Sequence, residues 1–86
     1  MELEKECALI ESILFLESEP QSSEKLAKIT QLSLEIVNEC INRLSDKYSS
    51  PDSGIELSQI IGGWVLTPKK EYFDLVKERN GKKNEG

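Results

Sequence analysis

The sequence has no histidine, one methionine, one tryptophan and two cysteines in 86 residues. Without histidine the chain lacks both the commonest general base near neutral pH and the commonest metal ligand. Cys7 and Cys40 form no C-x-x-C, and each falls on an apolar helical face. They read as two buried free thiols in a reducing compartment rather than as a disulfide or a metal site. No apolar run approaches the 18 residues of a membrane span, and no basic segment followed by an apolar stretch and a cleavage site marks a secretory signal. The expected location is therefore the cytoplasm. Basic residues are also scarce where they would count, with none between Lys47 and Lys69.

What the chain has in quantity is acid, with 16 Asp and Glu against 11 Lys and Arg. The last ten residues carry four basic and two acidic groups, which leaves seven basic against fourteen acidic, a net charge of −7, over residues 1–76. A field of that sign repels phosphate. The acidic groups also lack the setting for catalysis. Glu2, Glu4, Glu6, Glu17 and Glu19 lie on solvated helix surface or in a loop, with no cleft expected to gather them for general acid–base work. No G-x-S-x-G elbow or glycine-rich phosphate loop occurs, so no catalytic residue, cofactor or metal site is expected and the protein reads as no enzyme.

Eighty-six residues make one domain at most, burying somewhat over ~60% of the surface of the unfolded chain, so a partner can matter for stability. Residues 4–18, EKECALIESILFLES, form a helix candidate closed by Pro20. At 100° per residue Cys7, Leu9, Ile10, Ile13, Leu14 and Leu16 share a broad core arc. Ala8 and Phe15 fall on a second side beyond Glu11 and Ser12. Ser22 caps a short second helix, SEKLAKI, with Leu26, Ala27 and Ile29 inward. After a turn at 30–33, Ser33 caps a third, in which Leu34, Val37, Cys40, Ile41, Leu44 and Tyr48 repeat at helical spacing. Ser49 to Gly54 is a loop by composition.

IIGGWVLTP, residues 60–68, then reads as a hairpin hinged on Gly62-Gly63, since a two-residue turn needs the positive φ that glycine supplies. This turn pairs Ile61 with Trp64 and Ile60 with Val65. Leu57, Ile61, Trp64 and Leu66 then share one face, and Ile60 and Val65 the other. Residues 71–79 form a last short helix with Tyr72, Phe73, Leu75 and Val76 as its apolar part, and NGKKNEG at the end has nothing to bury. Three helices followed by a two-stranded wing, with a short first strand drawn from around Gln21, define a winged helix-turn-helix: a mainly α fold with a small β wing, in the α+β class. Residues 1–76 make the domain, and 77–86 a tail or a linker to a further domain.

A winged helix raises the possibility of a DNA-binding transcriptional regulator. The third helix would enter the groove, yet its exposed face is Glu35, Asn38, Glu39, Asn42, Arg43 and Asp46, three acids to one base. Protein contact is the stronger reading. The second side of helix 1 (Ala8, Glu11, Ser12, Phe15) and the second side of the wing (Ile60, Val65) are surface beyond the needs of one small core, and form the candidate interface.

These segments also resemble a known family. ALIESILFLESEP at 8–20, QSSEKLAKI, LSLEIVNECINRL and GIELSQIIGGWVLTPKKEY at 54–72 are similar to the N-terminal half of segregation and condensation protein B, ScpB. There an L-F-x-x-x-E-P helix end leads to a Ser-capped helix, and the wing carries G-x-x-L and G-G-aromatic-x-L. Leu14, Phe15, Glu19, Pro20, Ser22, Leu26, Ala27, Gly54, Leu57, Gly62, Gly63, Trp64 and Leu66 occupy those places, with Trp64 in place of a smaller aromatic. The resemblance implies a non-enzymatic subunit that homodimerises through such domains, binds the kleisin ScpA and reaches the SMC ATPase through it. Family members carry two winged-helix domains, and this chain stops after one.

Overall fold

The computed structural model describes residues 2–85, with side chains through Arg79. Three helices come first, α1 (Glu4–Leu16), α2 (Ser23–Thr30) and α3 (Leu34–Lys47). A hairpin of β1 (Ile55–Ile60) and β2 (Gly63–Pro68) follows, and then α4 (Lys70–Glu85). Ser22 Oγ accepts from Lys25 N and Ser33 Oγ from Ile36 N, each at 3.1 Å, so both expected caps satisfy a first-turn N–H. Between them Gln31 takes a left-handed φ of 62°, ends α2 and turns the chain into α3.

The core is one cluster. Ile10 and Leu14 of α1 meet Leu26 of α2, Val37, Cys40, Ile41 and Leu44 of α3, and Leu57 of the wing. Leu3 also joins it from the N-cap position of α1, where its carbonyl accepts from Cys7 N at 2.8 Å. The broad arc expected on α1 is narrower than its sequence pattern. Leu9 and Leu16 are exposed and Ile13 only half buried, because α3 and the wing together cover a strip one turn wide, centred on Ile10 and Leu14. Ile29 and Leu34, flanking the α2–α3 turn, are likewise exposed rather than inward.

The wing is antiparallel, as expected, but its pairing differs from the expected one by one residue on each strand. Ile60 faces Gly63, Gln59 faces Trp64 and Leu57 faces Leu66. The turn is thus Ile61-Gly62, and Ile61 sits fully exposed at its tip instead of on the core face. The cause lies outside the hairpin. Gln21 pairs with Trp64 as a third, one-residue strand, through Gln21 N to Trp64 O at 2.9 Å and Trp64 N to Gln21 O at 2.8 Å. This bridge brings the Gln21 backbone against Gly63, where a Cβ would lie 2.3 Å from the Gln21 carbonyl. Gly63 is therefore used for close approach inside β2, and Gly62 alone supplies the turn. Leu57, Trp64 and Leu66 still share the core face, and Ser58 and Thr67 hydroxyls bond at 2.7 Å across the other.

The last helix runs from Lys70 to Glu85, past the 71–79 expected from the apolar pattern. The segment expected to act as tail or linker is thus helical in its backbone through Glu85, while Gly86 lies outside the described residues.

Candidate protein interface

Helix α1 presents two sides because α3 and the wing grip it from one direction only. On its free side Phe15 and Leu16 are each 80% exposed, next to exposed Ala8 and Ser12. Ala8, Glu11, Ser12 and Phe15, the four residues expected there, come together along a hollow of about 470 Å³. Its opposite wall is Tyr48 at the end of α3, with Ile55 and Leu66 of the wing. Sequence reasoning missed these three and placed Leu16, which also lines the hollow, in the core. The position of Ile55 at the start of β1, beside the end of α1, could not be read without the tertiary arrangement.

Glu11 gives this surface its polar edge. The Tyr48 hydroxyl and the Lys47 ammonium both donate to Glu11 Oε2, the latter at 3.1 Å. The Tyr48 bond above all, aided by Lys47 and opposed by partial burial, holds the Glu11 carboxyl below the usual carboxylate range. Burial first, and Glu11 second, push the Tyr48 phenol up to about 12. Glu11 therefore stays ionised at neutral pH, and its contribution is present above its unfolded pKa and lost as pH falls through the lowered folded value. The contact ties the middle of α1 to the end of α3 and fixes the rim of the hollow.

The wing half of the expected site divides. Ile60 is half exposed beside the turn, but Val65 is only 9% exposed, so it offers no open surface of this chain. The segment after α1 runs beside β2 on its way to the Gln21 bridge, and Val65 shares a smaller hollow with Phe15, Glu17 and Ser18. Ile60 lines neither hollow, so the structure brings Val65 beside Phe15 but leaves Ile60 apart from the α1 half of the expected site.

The third helix exposes the expected Glu35, Asn38, Glu39, Asn42, Arg43 and Asp46. Its lone base is occupied, since Arg43 Nε bonds Glu39 Oε2 at 3.0 Å one turn away. Phosphate contacts supply most non-specific affinity for DNA, and this face with its base-free wing offers few. The expected result of a fluorescence anisotropy titration against a short duplex at physiological salt is no submicromolar binding. Tight, salt-dependent binding would overturn it. Among the described residues no group of three His, Cys, Asp or Glu side chains is placed to hold a metal, and no helix is long and apolar enough to cross a membrane.

These features define a winged helix-turn-helix domain with an acidic third helix and an open apolar side on the first. The chain belongs to the family of the segregation and condensation complex subunit ScpB, whose family model matches residues 8–86. It is 35% identical over 79 residues to segregation and condensation protein B of Acetivibrio thermocellus, covering 91% of this chain and 40% of that protein. The Myxococcus xanthus protein of the same name is 38% identical over 69 residues, 80% of this chain and 21% of that one. The chain thus spans well under half the length of these relatives. A solved dimer of a ScpB N-terminal domain complexed with a ScpA peptide matches with a TM-score of 0.81 at 26% identity, over 88% of each chain. ScpB from Mycobacterium tuberculosis shares the fold, with a TM-score of 0.84 at 19% identity over 98% of this chain and 52% of that one.

Proposed function

We propose that this chain is a non-enzymatic cytoplasmic subunit of an SMC–ScpA–ScpB complex, acting in chromosome condensation and segregation by homodimerising and by binding the kleisin ScpA, through which it reaches SMC. The observation that carries the reading is the pair Phe15 and Leu16, 80% exposed beside an apolar hollow on a domain whose residues 1–76 carry −7. A large apolar patch on an acidic winged helix fits a protein partner and not a phosphate backbone. Membership of the ScpB family, and the likeness to a ScpB N-terminal domain that dimerises and takes a ScpA peptide, support both partners. On this reading residues 1–76 are the domain and 77–86 lead out of it.

The free side of α1 serves the dimer, and the half-exposed Ile60 is the part of the wing left for the kleisin. A kleisin helix with apolar anchors and basic flanks would match both the patch and the charge. Calorimetry against the central region of ScpA from the same organism is expected to give binding that Ile60→Lys weakens by about tenfold, roughly 1.4 kcal/mol, with the circular dichroism unchanged. Equal affinity would remove the wing from the site, and no binding to either form would remove the kleisin from the proposal.

A further inference from the structure

Helix α4 carries an apolar stripe that its own chain leaves open. Tyr72, Phe73, Leu75 and Val76 span an arc of roughly 160° at 100° per residue. All four lie between 40% and 55% exposed, and among the described residues α4 makes none of the extensive contacts between elements that build the body. A helix standing alone in water is marginal, and most helical stability in proteins comes from packing an amphipathic face. The root of α4 is nevertheless fixed. Lys69 N donates to Gly54 O at 2.9 Å and Lys69 Nζ to Ser50 O at 2.7 Å, while Pro68 pairs with Ile55, which lines the α1 hollow. The stripe therefore begins at the rim of an apolar hollow that it does not fill.

We infer that α4 is an exchanged arm, its stripe seated on the α1 hollow of a second copy of this chain. Three observations favour a second copy. The chain possesses both an open stripe and an open hollow, so a two-fold pair closes both at once. The two parts are opposite in charge. Residues 1–68 hold twelve acidic and five basic groups, and residues 69–86 hold six basic and four acidic. The hollow is also continuous through Phe15 and Leu16 with the α1 face proposed above for self-association, on which this inference rests. In such a pair Tyr72, Leu75 and Val76 meet Phe15, Ile55 and Leu66 of the other copy, and the ionised Glu11 at the rim faces the basic arm.

Two single variants of the full chain, Ser12→Cys and Leu75→Cys, are mixed, oxidised with copper phenanthroline and mapped by peptide mass spectrometry. The expected product is a mixed dimer in which the new thiol at position 12 of one copy is joined to that at 75 of the other, a bond that only an exchanged arm permits. In parallel, Leu75→Glu/Val76→Glu is expected to raise the dimer dissociation constant at least tenfold in sedimentation equilibrium while Trp64 fluorescence stays native. Cross-links confined to 12–12 pairs, or an unchanged dissociation constant, would overturn the arm and leave the dimer in place. A wild-type chain that sediments as a monomer at high concentration would overturn both.

Discussion

Gly63→Ala is expected to destabilise the domain by about 3–4 kcal/mol, by far the largest effect of a single added methyl group. Two costs fall together. The backbone at Gly63 has φ +137°, a region that side-chain-bearing residues rarely adopt, and a Cβ there would lie 2.3 Å from both the carbonyl carbon and the oxygen of Gln21 and 2.5 Å from Ser22 N. Those are main-chain atoms held by the Gln21–Trp64 bridge, so relief requires the bridge to open and the wing to swing from α2. Gly62→Ala is the control. Its φ of +102° is strained as well, but the added Cβ would meet only Pro20 Cβ at 3.8 Å, an ordinary contact. At about 4–8 °C per kcal/mol for a domain of this size, Gly63→Ala should lower the midpoint by at least about 12 °C, and Gly62→Ala by clearly less. Trp64, the sole tryptophan, reports the event directly, because its indole donates to Ser23 Oγ at 3.3 Å and would lose that partner as the bridge opens. Equal shifts for the two variants would show that the turn, and not the close approach, is what the glycine pair provides.

The same pair marks the boundary of what the sequence made legible. Two adjacent glycines announced the hairpin, and the expectation of a strand near Gln21 was met, because turn chemistry and chain order are local. Which glycine does which task depends on a third strand 42 residues upstream in the chain, and the pairing accordingly came out one residue off on each strand. Helix α3 was legible at all but one of its expected positions, since one apolar stripe faces one core and its six expected surface residues are all exposed, while Leu34 in its first turn lies outside the core. Helix α1 was not. Its apolar residues occupy most of the wheel, and periodicity cannot say which of them the core covers. Ile10 and Leu14 are covered, whereas Leu9 and Leu16, just as apolar, are left to the surface. The candidate site shows the same pattern. Ala8, Glu11, Ser12 and Phe15 follow from one helix and were found together. Tyr48, Ile55 and Leu66, which close the hollow, come from elements whose placement only the fold reveals, and burial of Val65 follows from the path of the segment leading to Gln21.

Since α1 is apolar on both sides, the sharpest test of the surface is one change on each. Ile10→Glu is expected to unfold the domain. Ile10 is completely buried in the centre of the cluster, and an unpaired carboxylate there costs several kcal/mol, a large part of the roughly 4–13 kcal/mol that a domain of 86 residues has to lose. Phe15→Glu, five residues along the same helix, is expected to change stability by no more than about 0.5 kcal/mol, because the side chain already stands 80% in water. Its effect belongs to association. A carboxylate at the open edge of the hollow must be desolvated whenever a second copy covers α1, and it joins Glu11 in a domain that is already acidic. Circular dichroism should therefore show a native helix signal for Phe15→Glu and a collapsed one for Ile10→Glu. Sedimentation velocity should show Phe15→Glu as a monomer at concentrations where the unaltered chain is a dimer, a weakening of at least about tenfold. Melting of both variants would mean that Phe15 is covered within one chain, and the free side of α1 would cease to be an interface. A folded Phe15→Glu that still dimerises with unaltered affinity would move the self-association elsewhere on the molecule.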